Sequence, residues 1–207
     1  LDLPRHNLWL YPSADHDANV KAFEQDPTGP LPVAFMSFPS ARDPDFARRC
    51  PGKATIEVVT MAPWTAFQRW ADTTWRHRGE AYLALKASLG DRMRQLLLDH
   101  VPQVRGHIAY EEVSTPLSTR HFAGFEQGEI YGIAHSPARF QERWLRPHTT
   151  VEGLYLTGAD ISSAGVASAL FSGVLTASAM AGRDLVGVLG CQLEGLRRVG
   201  TRPVAAG

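Results

Sequence analysis

The sequence lacks the short motifs that identify several common classes of enzyme. Its 18 glycines include no pair separated by a single residue, so the GxGxxG fingerprint of dinucleotide-binding domains is absent. The GxSxG elbow of hydrolases, the P-loop and the HExxH zinc motif are missing as well. The 8 histidines are scattered along the chain, and we therefore expect no dedicated metal site.

The sequence also has few cysteines and no excess of positive or negative charge. The 2 cysteines, Cys50 and Cys191, lie far apart and form no CxxC pair, which favours a reducing compartment. Lysine plus arginine total 21, and aspartate plus glutamate also total 21. This balance gives no reason to expect nucleic acid as a partner. We predict a cytoplasmic protein.

The composition that remains is that of an ordinary globular protein with a substantial core. The chain has 207 residues, of which 44% are hydrophobic and 20% are charged. It begins with Leu1 rather than methionine, no signal-peptide pattern follows, and its best ligand motif lies near its end. We expect it to be a piece of a longer protein.

The first part of the chain predicts an antiparallel sheet. Three runs, residues 7–11, 31–38 and 54–62, have the apolar character of strands, and only loops or a short helix separate them. The short helix is predicted over residues 18–23. The Asp-His-Asp triplet at 15–17 is interpreted as the cap of that helix, with a metal site as the alternative.

A long amphipathic helix is predicted over residues 79–100, because apolar side chains recur there near the 3.6-residue period. Before it, Trp64, Phe67 and Trp70 stand at helical spacing. We interpret them as core packing, with a cofactor contact as the alternative. After it, residues 108–113 predict another strand.

Two further segments precede the strongest motif. A turn or short helix is predicted over residues 115–119, and another over 136–140. Between them, residues 128–135 read as a strand bounded by glycines. Glycine in such a place indicates that the backbone closely approaches another group.

The strongest ligand signal is Gly-Leu-Tyr-Leu-Thr-Gly-Ala-Asp at 153–160, with the small-residue run behind it. The pattern predicts a short buried strand, a glycine turn that carries Asp160, and a helix over 164–181 capped by Ser162 or Ser163. Such a turn directs backbone N–H groups and the helix dipole at a ligand. The carboxylate in the turn would accept hydrogen bonds from hydroxyls.

The small-residue run also has a membrane interpretation. Residues 164–182 carry no charge, and small side chains recur every four positions, which is typical of membrane packing. Serine, threonine, alanine and glycine outnumber leucine and isoleucine, and they insert weakly. A buried helix is therefore favoured over a transmembrane span.

Several blocks of the sequence carry a resemblance to one group of flavoenzymes. The segment 153–160, followed by Gly165 and Val166, resembles the C-terminal flavin-binding motif of the phytoene desaturase and carotenoid isomerase group. Further blocks are similar to the retinol saturase-like branch of that group, and they are residues 10–17, 37–44, 114–119, 128–132 and 143–147. Together the blocks span about residues 4–182.

The resemblance implies a fold of the α+β and α/β classes in two parts. Residues 1–147 would supply an antiparallel-sheet part of a substrate domain. Residues 148–183 would supply the closing strand and helix of a FAD-binding Rossmann-type domain, and residues 184–207 a tail. The half of the flavin domain that carries the GxGxxG fingerprint would be a missing N-terminal partner, without which we expect this chain to be inactive.

The resemblance also implies cofactor-binding roles. Asp160 matches the acid that holds the ribityl hydroxyls of FAD, and Gly158 permits the turn. The amides of Gly165, Val166 and Ala167 would face the isoalloxazine. The implied activity is oxidation or reduction of carbon–carbon double bonds in an apolar, retinoid- or carotenoid-like polyene. NAD(P)H is a candidate electron donor, and such a substrate is compatible with peripheral membrane contact.

Two residues are candidates for the proton that saturation of a double bond requires. They are Tyr131 and His135, with packing and a surface position as their respective alternatives. Arg146 could meet the cofactor or pair with an acid, and the residue types do not separate these possibilities. The alternative function is a noncatalytic binding or scaffold module that keeps the fold without the cofactor half.

Overall fold

The computed structural model describes residues 2–190 and residue 192. The chain divides into two compact units, with the boundary between Glu129 and Ile130. The first unit combines an antiparallel sheet with helices, so the α+β class is confirmed. The Rossmann-type part and the domain boundary at residue 147 stay predictions. The predicted tail beyond residue 192 lies outside the described residues, whereas residues 185–190 are helical.

The sheet has three antiparallel strands in the order β1-β2-β3. Its strands are β1 Leu8–Leu10, β2 Ala34–Ser37 and β3 Glu57–Thr60. The register pairs Trp9 with Phe35 and Phe35 with Val59, so these three side chains share one face. All three predicted strands are confirmed, although each is shorter than its apolar run.

Seven α-helices have both ends within the described residues. They are α1 His16–Gln25, α2 Pro39–Arg42, α3 Phe46–Arg49, α4 Glu80–His100, α5 Pro116–Ala123, α6 Pro137–Gln141 and α7 Val166–Ala181. Short 3-10 helices lie at Trp64–Ala66, Gln68–Trp70, Pro102–Val104 and Ala159–Ile161. The long helix α4 begins within one residue of its prediction because Gly79, with φ of 83°, ends the preceding loop.

The start of α1 confirms the cap interpretation of the acidic triplet. The Asp15 carboxylate accepts a hydrogen bond from the Ala18 amide at 3.0 Å, as an N-cap residue does. The helix then runs from His16 to Gln25 and buries Phe23.

Helix α4 supplies side chains to both apolar clusters of the first unit. The cluster beside the sheet consists of Leu3, Met36, Phe38, Leu97, Val101 and Val104. The other cluster consists of Phe67, Trp70, Tyr82, Leu89 and Leu117. Phe67 and Trp70 are therefore core residues, as the sequence predicts, and Trp64 packs against them.

The strand predicted at residues 108–113 is wrong. Side-chain ion pairs hold this segment: Lys86 Nζ lies 2.7 Å from Glu112, and Arg94 lies 3.1 Å from Glu111. Residues 108–112 are exposed and adopt no ladder. The segment pairs with no strand of the sheet, whose order is β1-β2-β3.

The strand predicted at residues 128–135 is also wrong. Gly128, Tyr131 and Gly132 all have positive φ angles, between 67° and 74°, which bend the chain repeatedly. The buried strand predicted within 153–160 reduces to a single antiparallel bridge between Tyr155 and His148. None of the helices in the described residues has the length and apolar character needed to span a membrane.

Candidate functional site

The turn that carries Asp160 is set by two glycines. Gly158 has φ of 94° and ψ of −166°, and Gly165 has φ of 105° and ψ of 159°. These angles lie in a region that is essentially restricted to glycine. A Cβ added to either residue would meet no atom within 4 Å. Backbone conformation therefore requires glycine at both positions, and the space beside them is open.

Two buried hydroxyls of α7 hold the chain that leads into the turn. Ser172 is 0% exposed, and its Oγ accepts a hydrogen bond from the Gly158 amide at 2.7 Å. The Thr176 hydroxyl donates to the Leu156 carbonyl at 2.8 Å. These bonds satisfy backbone groups that a fully formed strand would otherwise pair with a neighbour. Ser172 and Thr176 therefore fix the turn to helix α7.

The Asp160 carboxylate is exposed and contacts the glycine-rich segment before α6. Its Oδ1 accepts a hydrogen bond from the Ile133 amide at 3.0 Å. A Cβ on Gly132 would lie only 2.1 Å from that oxygen. The close backbone approach predicted from the glycines of this segment is therefore confirmed. Among the described residues, Oδ2 has no hydrogen-bond partner.

The structure identifies one residue of this site that the sequence interpretation missed, Arg139. Its side chain is buried, at 5% exposure. Nη2 donates to the carbonyls of Ala159 at 2.6 Å and Asp160 at 3.0 Å, and Nη1 donates to the Ile133 carbonyl at 3.2 Å. Arg143 and Arg146 stand nearby in sequence and are exposed. No sequence signal distinguishes the buried arginine from these two.

The two candidate proton donors lie in different environments. His135 Nε2 accepts a hydrogen bond from the Ala164 amide at 2.7 Å, which requires the tautomer that carries its hydrogen on Nδ1. Tyr131 is 64% exposed and has φ of 74°, a left-handed conformation that is uncommon for a residue with a side chain. The structure therefore brings His135 to the turn and leaves the Tyr131 side chain in solvent.

The serine cap predicted for α7 is wrong. The helix begins at Val166 after Gly165, and no side chain caps it. Ser163 Oγ instead hydrogen-bonds to Ser168 Oγ at 2.7 Å. Val166 is 87% exposed, and Ala167 is exposed too. The first-turn amides of α7 are consequently at the surface, and no side chain among the described residues accepts from them.

In the first unit, apolar surface covers the outer face of the sheet. The Trp9 and Phe35 rings lie 4.7 Å apart between centroids, and Trp9 is 60% exposed. Val59, on the next strand, is 44% exposed. An open groove of about 960 Å³ lies nearby, and its lining includes Trp9, Leu10, Leu31, Ala34 and Leu96, with Arg92, Gln95 and Asp99 as polar members.

The clearest pKa shifts also belong to the first unit. The hydroxyl and amide of Thr28 hold the pKa of the Asp26 carboxyl below its usual value. The hydrogen bond from Lys86 lowers the pKa of Glu112, and burial lowers the pKa of Arg92. The first two shifts come from contacts that hold a turn and a loop, so they indicate local structure rather than an acid–base catalyst.

Comparison with known proteins gives consistent relatives. The chain is 29% identical to all-trans-retinol 13,14-reductase of Danio rerio and 28% identical to that of Homo sapiens, each over 192 residues. It is 30% identical to a second Danio rerio protein, named inactive all-trans-retinol 13,14-reductase. Each alignment covers 89% of this chain and 32% of the relative, so the chain spans about a third of the relatives' length.

The other two comparisons add no relatives. No family model matches the chain, and no solved structure matches it. The sequence similarity nevertheless extends over most of the chain, well beyond the glycine turn. The chain is thus similar to proteins named all-trans-retinol 13,14-reductase, which confirms the retinol saturase-like resemblance that its sequence blocks predict.

Proposed function

We propose that this chain is the C-terminal part of a FAD-dependent oxidoreductase that acts on a carbon–carbon double bond of an apolar, retinoid-like polyene. The names of the relatives support the reaction class and the retinoid. The observation that carries the cofactor is one turn that combines an exposed acid, Asp160, with the uncapped start of α7. In this proposal, α7 closes a Rossmann-type domain whose remainder lies outside the present residues.

The residues of the turn fit a cofactor that has sugar-like hydroxyls beside an electron-rich ring. Asp160 Oδ2 would accept hydrogen bonds from the ribityl hydroxyls, and Gly158 and Gly165 leave open space beside it. The amides of Val166 and Ala167 would donate to the ring, where the helix dipole favours negative charge. FAD, when bound, supplies the hydride chemistry.

The proton for saturation of a double bond would come from this chain's own residues. The Tyr131 hydroxyl is exposed, whereas His135 Nε2 already accepts a hydrogen bond from Ala164. We therefore propose Tyr131 as the donor, from its Oη, and His135 as the residue that holds the start of α7. His135 retains a hydrogen only on Nδ1, which keeps it a secondary candidate.

The substrate proposal rests on apolar surface in the first unit. The exposed face formed by Trp9, Phe35 and Val59 supplies rigid apolar contacts of the kind that line sites for apolar ligands. NAD(P)H as electron donor and peripheral contact with a membrane are further parts of this proposal.

The experiment uses the longest polypeptide that the gene encodes, purified without denaturant. Visible absorbance before and after denaturation detects bound FAD. All-trans-retinol is then added under anaerobic conditions with NADPH or a chemical reductant, and loss of polyene absorbance is followed. We expect bound FAD and turnover in the wild type, and neither in Asp160→Ala. The matched control is Asp184→Ala, whose carboxylate accepts from the Gly187 amide outside the turn.

A second candidate function has a specific observation in its favour. The relative with 30% identity carries the word inactive in its name, and it covers the same share of this chain as the others. Similarity at this level therefore supports a noncatalytic binding or scaffold module as well. That module would leave polyene absorbance unchanged with every reductant. Absence of FAD from the longest gene product, together with unchanged polyene absorbance, would favour this candidate and remove the first.

A further inference from the structure

We propose that Arg139 is the positioning residue of the cofactor turn, which it holds so that Asp160 faces the ligand. This inference rests on the proposed function, because the ligand in question is FAD. It adds a residue outside the glycine–acid motif, on a different element, α6. Arg139 itself would contact neither the cofactor nor the substrate.

The contacts of Arg139 join the two segments that meet at Asp160. Nη2 donates to the carbonyls of Ala159 at 2.6 Å and Asp160 at 3.0 Å, with Ser162 at 3.5 Å. Nη1 donates to the carbonyl of Ile133 at 3.2 Å. The amide of that same residue, Ile133, donates to Asp160 Oδ1. The guanidinium therefore fixes both partners of the Asp160 hydrogen bond.

Arg139 is a buried cation whose partners are backbone groups. The side chain is 5% exposed, and within the described residues its hydrogen bonds go to backbone carbonyls rather than to a carboxylate. Burial of an ion is costly unless its donors are satisfied. The carbonyls of the turn supply that compensation, so they are drawn towards the guanidinium while the Asp160 side chain stays at the surface.

A lysine at position 139 could not make the same set of hydrogen bonds as Arg139. The guanidinium is planar and presents its donors in a fixed fork, whereas an ammonium is a compact point charge. The Ile133 and Ala159 carbonyls are engaged by different nitrogens of the fork. A lysine in its place would keep the charge but could not span both carbonyls in the same way.

The chain offers a matched control in Arg78, a buried arginine of the first unit. It is 7% exposed and also donates to carbonyls, those of Trp70, Thr73 and Leu117. Its loss removes a buried cation from a carbonyl cluster of the first unit, whereas Asp160 belongs to the second. Arg78→Met and Arg139→Met therefore share the general cost of such a change, and only the second alters the turn.

The experiment measures FAD affinity and amide hydrogen exchange in the longest gene product. We expect Arg139→Met to weaken FAD binding roughly tenfold to a hundredfold. This is the effect of losing about one charge-assisted hydrogen bond between Asp160 and FAD when the turn is no longer held. Arg139→Lys should recover only part of this loss. Arg139→Met should also speed exchange of the Ile133 amide, which would no longer face a fixed Asp160. Arg78→Met should leave both quantities unchanged at temperatures where each variant is folded.

The outcomes separate this inference from the function on which it rests. Wild-type FAD affinity in a folded Arg139→Met variant, with unchanged Ile133 exchange, overturns the positioning role and leaves the proposed function standing. Equal losses in Arg78→Met and Arg139→Met overturn it too, because they indicate a general fold effect. A wild type that binds no FAD overturns the proposed function and the cofactor role together, and Ile133 exchange then decides whether Arg139 holds the turn.

Discussion

Both units bury polar side chains, but they differ in whether they also bury hydrophobic ones. In the described residues, every buried hydrophobic side chain belongs to the first unit, from Leu3 to Leu117. The buried side chains of the second unit are Arg139, Ser172 and Thr176. The first unit therefore has an apolar core of its own, whereas the second is organised by hydrogen bonds around one turn.

This difference determines what stabilises each unit. Removal of apolar surface from water contributes about 25 cal/mol per Å², whereas one hydrogen bond contributes a net of only about 1 kcal/mol. The second unit also exposes large apolar side chains, among them Ile130, Phe140, Trp144, Leu170 and Met180. Under the proposed function, the remainder of the flavin domain would cover part of this surface.

The largest expected effect comes from truncation of an aromatic residue in the core. Phe38 is 1% exposed and packs beside the sheet, so Phe38→Ala should lower the free energy of unfolding by about 3–5 kcal/mol. The control is Phe140→Ala in the second unit, where the side chain is 64% exposed and about 0.5 kcal/mol or less is expected. Denaturant unfolding measures both, and equal losses would contradict the comparison.

The next effect concerns the hydroxyls that replace an apolar core in the second unit. Ser172→Ala leaves the partly buried Gly158 amide without its acceptor, which should cost about 1 kcal/mol of that unit's stability. Ser168→Ala is the control, because Ser168 is half-buried and bonds only another serine. Exchange of the Gly158 amide reports the loss directly. Unchanged protection in Ser172→Ala would show that the hydroxyl does not hold the turn.

A smaller effect separates close approach from backbone angle. Gly132 and Gly153 have φ of 73° and 76°, so alanine at either costs about 1–2 kcal/mol for its backbone. Only at Gly132 would the new Cβ also collide with Asp160 Oδ1. Gly132→Ala should therefore speed exchange of the Ile133 amide, and Gly153→Ala should not. Equal exchange rates of the Ile133 amide in both variants would show that the close approach of Asp160 does not restrict position 132.

The smallest effect is a pH dependence confined to the first unit. The pKa of Asp26 is lowered in the folded chain by hydrogen bonds from Thr28. A lowered folded pKa means that this contribution is present above the unfolded pKa of about 3.9 and is lost as the pH falls through the folded value. Wild type should therefore lose more stability than Asp26→Asn between about pH 5 and pH 2. Parallel pH profiles for the two proteins would contradict this.

The elements that the sequence predicts well are those whose signal is local. The 3.6-residue repeat of α4 and the three apolar runs of the sheet are present in the chain itself, and all four elements form. The strand prediction for residues 108–113 is wrong because strand-like residue types do not show whether a partner strand pairs with them. Ion pairs with Lys86 and Arg94 hold the segment instead. Residues 128–135 failed because left-handed angles at Tyr131 and Gly132 depend on contacts with the distant Asp160 turn.

The candidate site shows the same division. Gly158, Gly165 and Asp160 were named from the sequence because the flavoenzyme motif that the sequence resembles contains all three, and the structure shows that the backbone angles of the two glycines require glycine. Arg139 could not be named from the sequence, because its role depends on carbonyls about 20 residues further along the chain. The predicted serine cap of α7 is wrong because the Ser163 hydroxyl hydrogen-bonds to the Ser168 hydroxyl rather than to a backbone amide of the helix. Long-range hydrogen bonds are the part of this site that the sequence leaves open.

The proposed cofactor role of Asp160 has one direct measurement, the affinity of the longest gene product for FAD with and without Asp160→Asn. The substitution keeps the size of the side chain and removes its charge, while the amide oxygen can still accept from Ile133. We expect FAD binding by the wild type and an affinity on the order of tenfold to a hundredfold lower in the variant. Equal affinities of the two proteins for FAD, or no FAD binding by the wild type, would contradict the proposed cofactor role of Asp160.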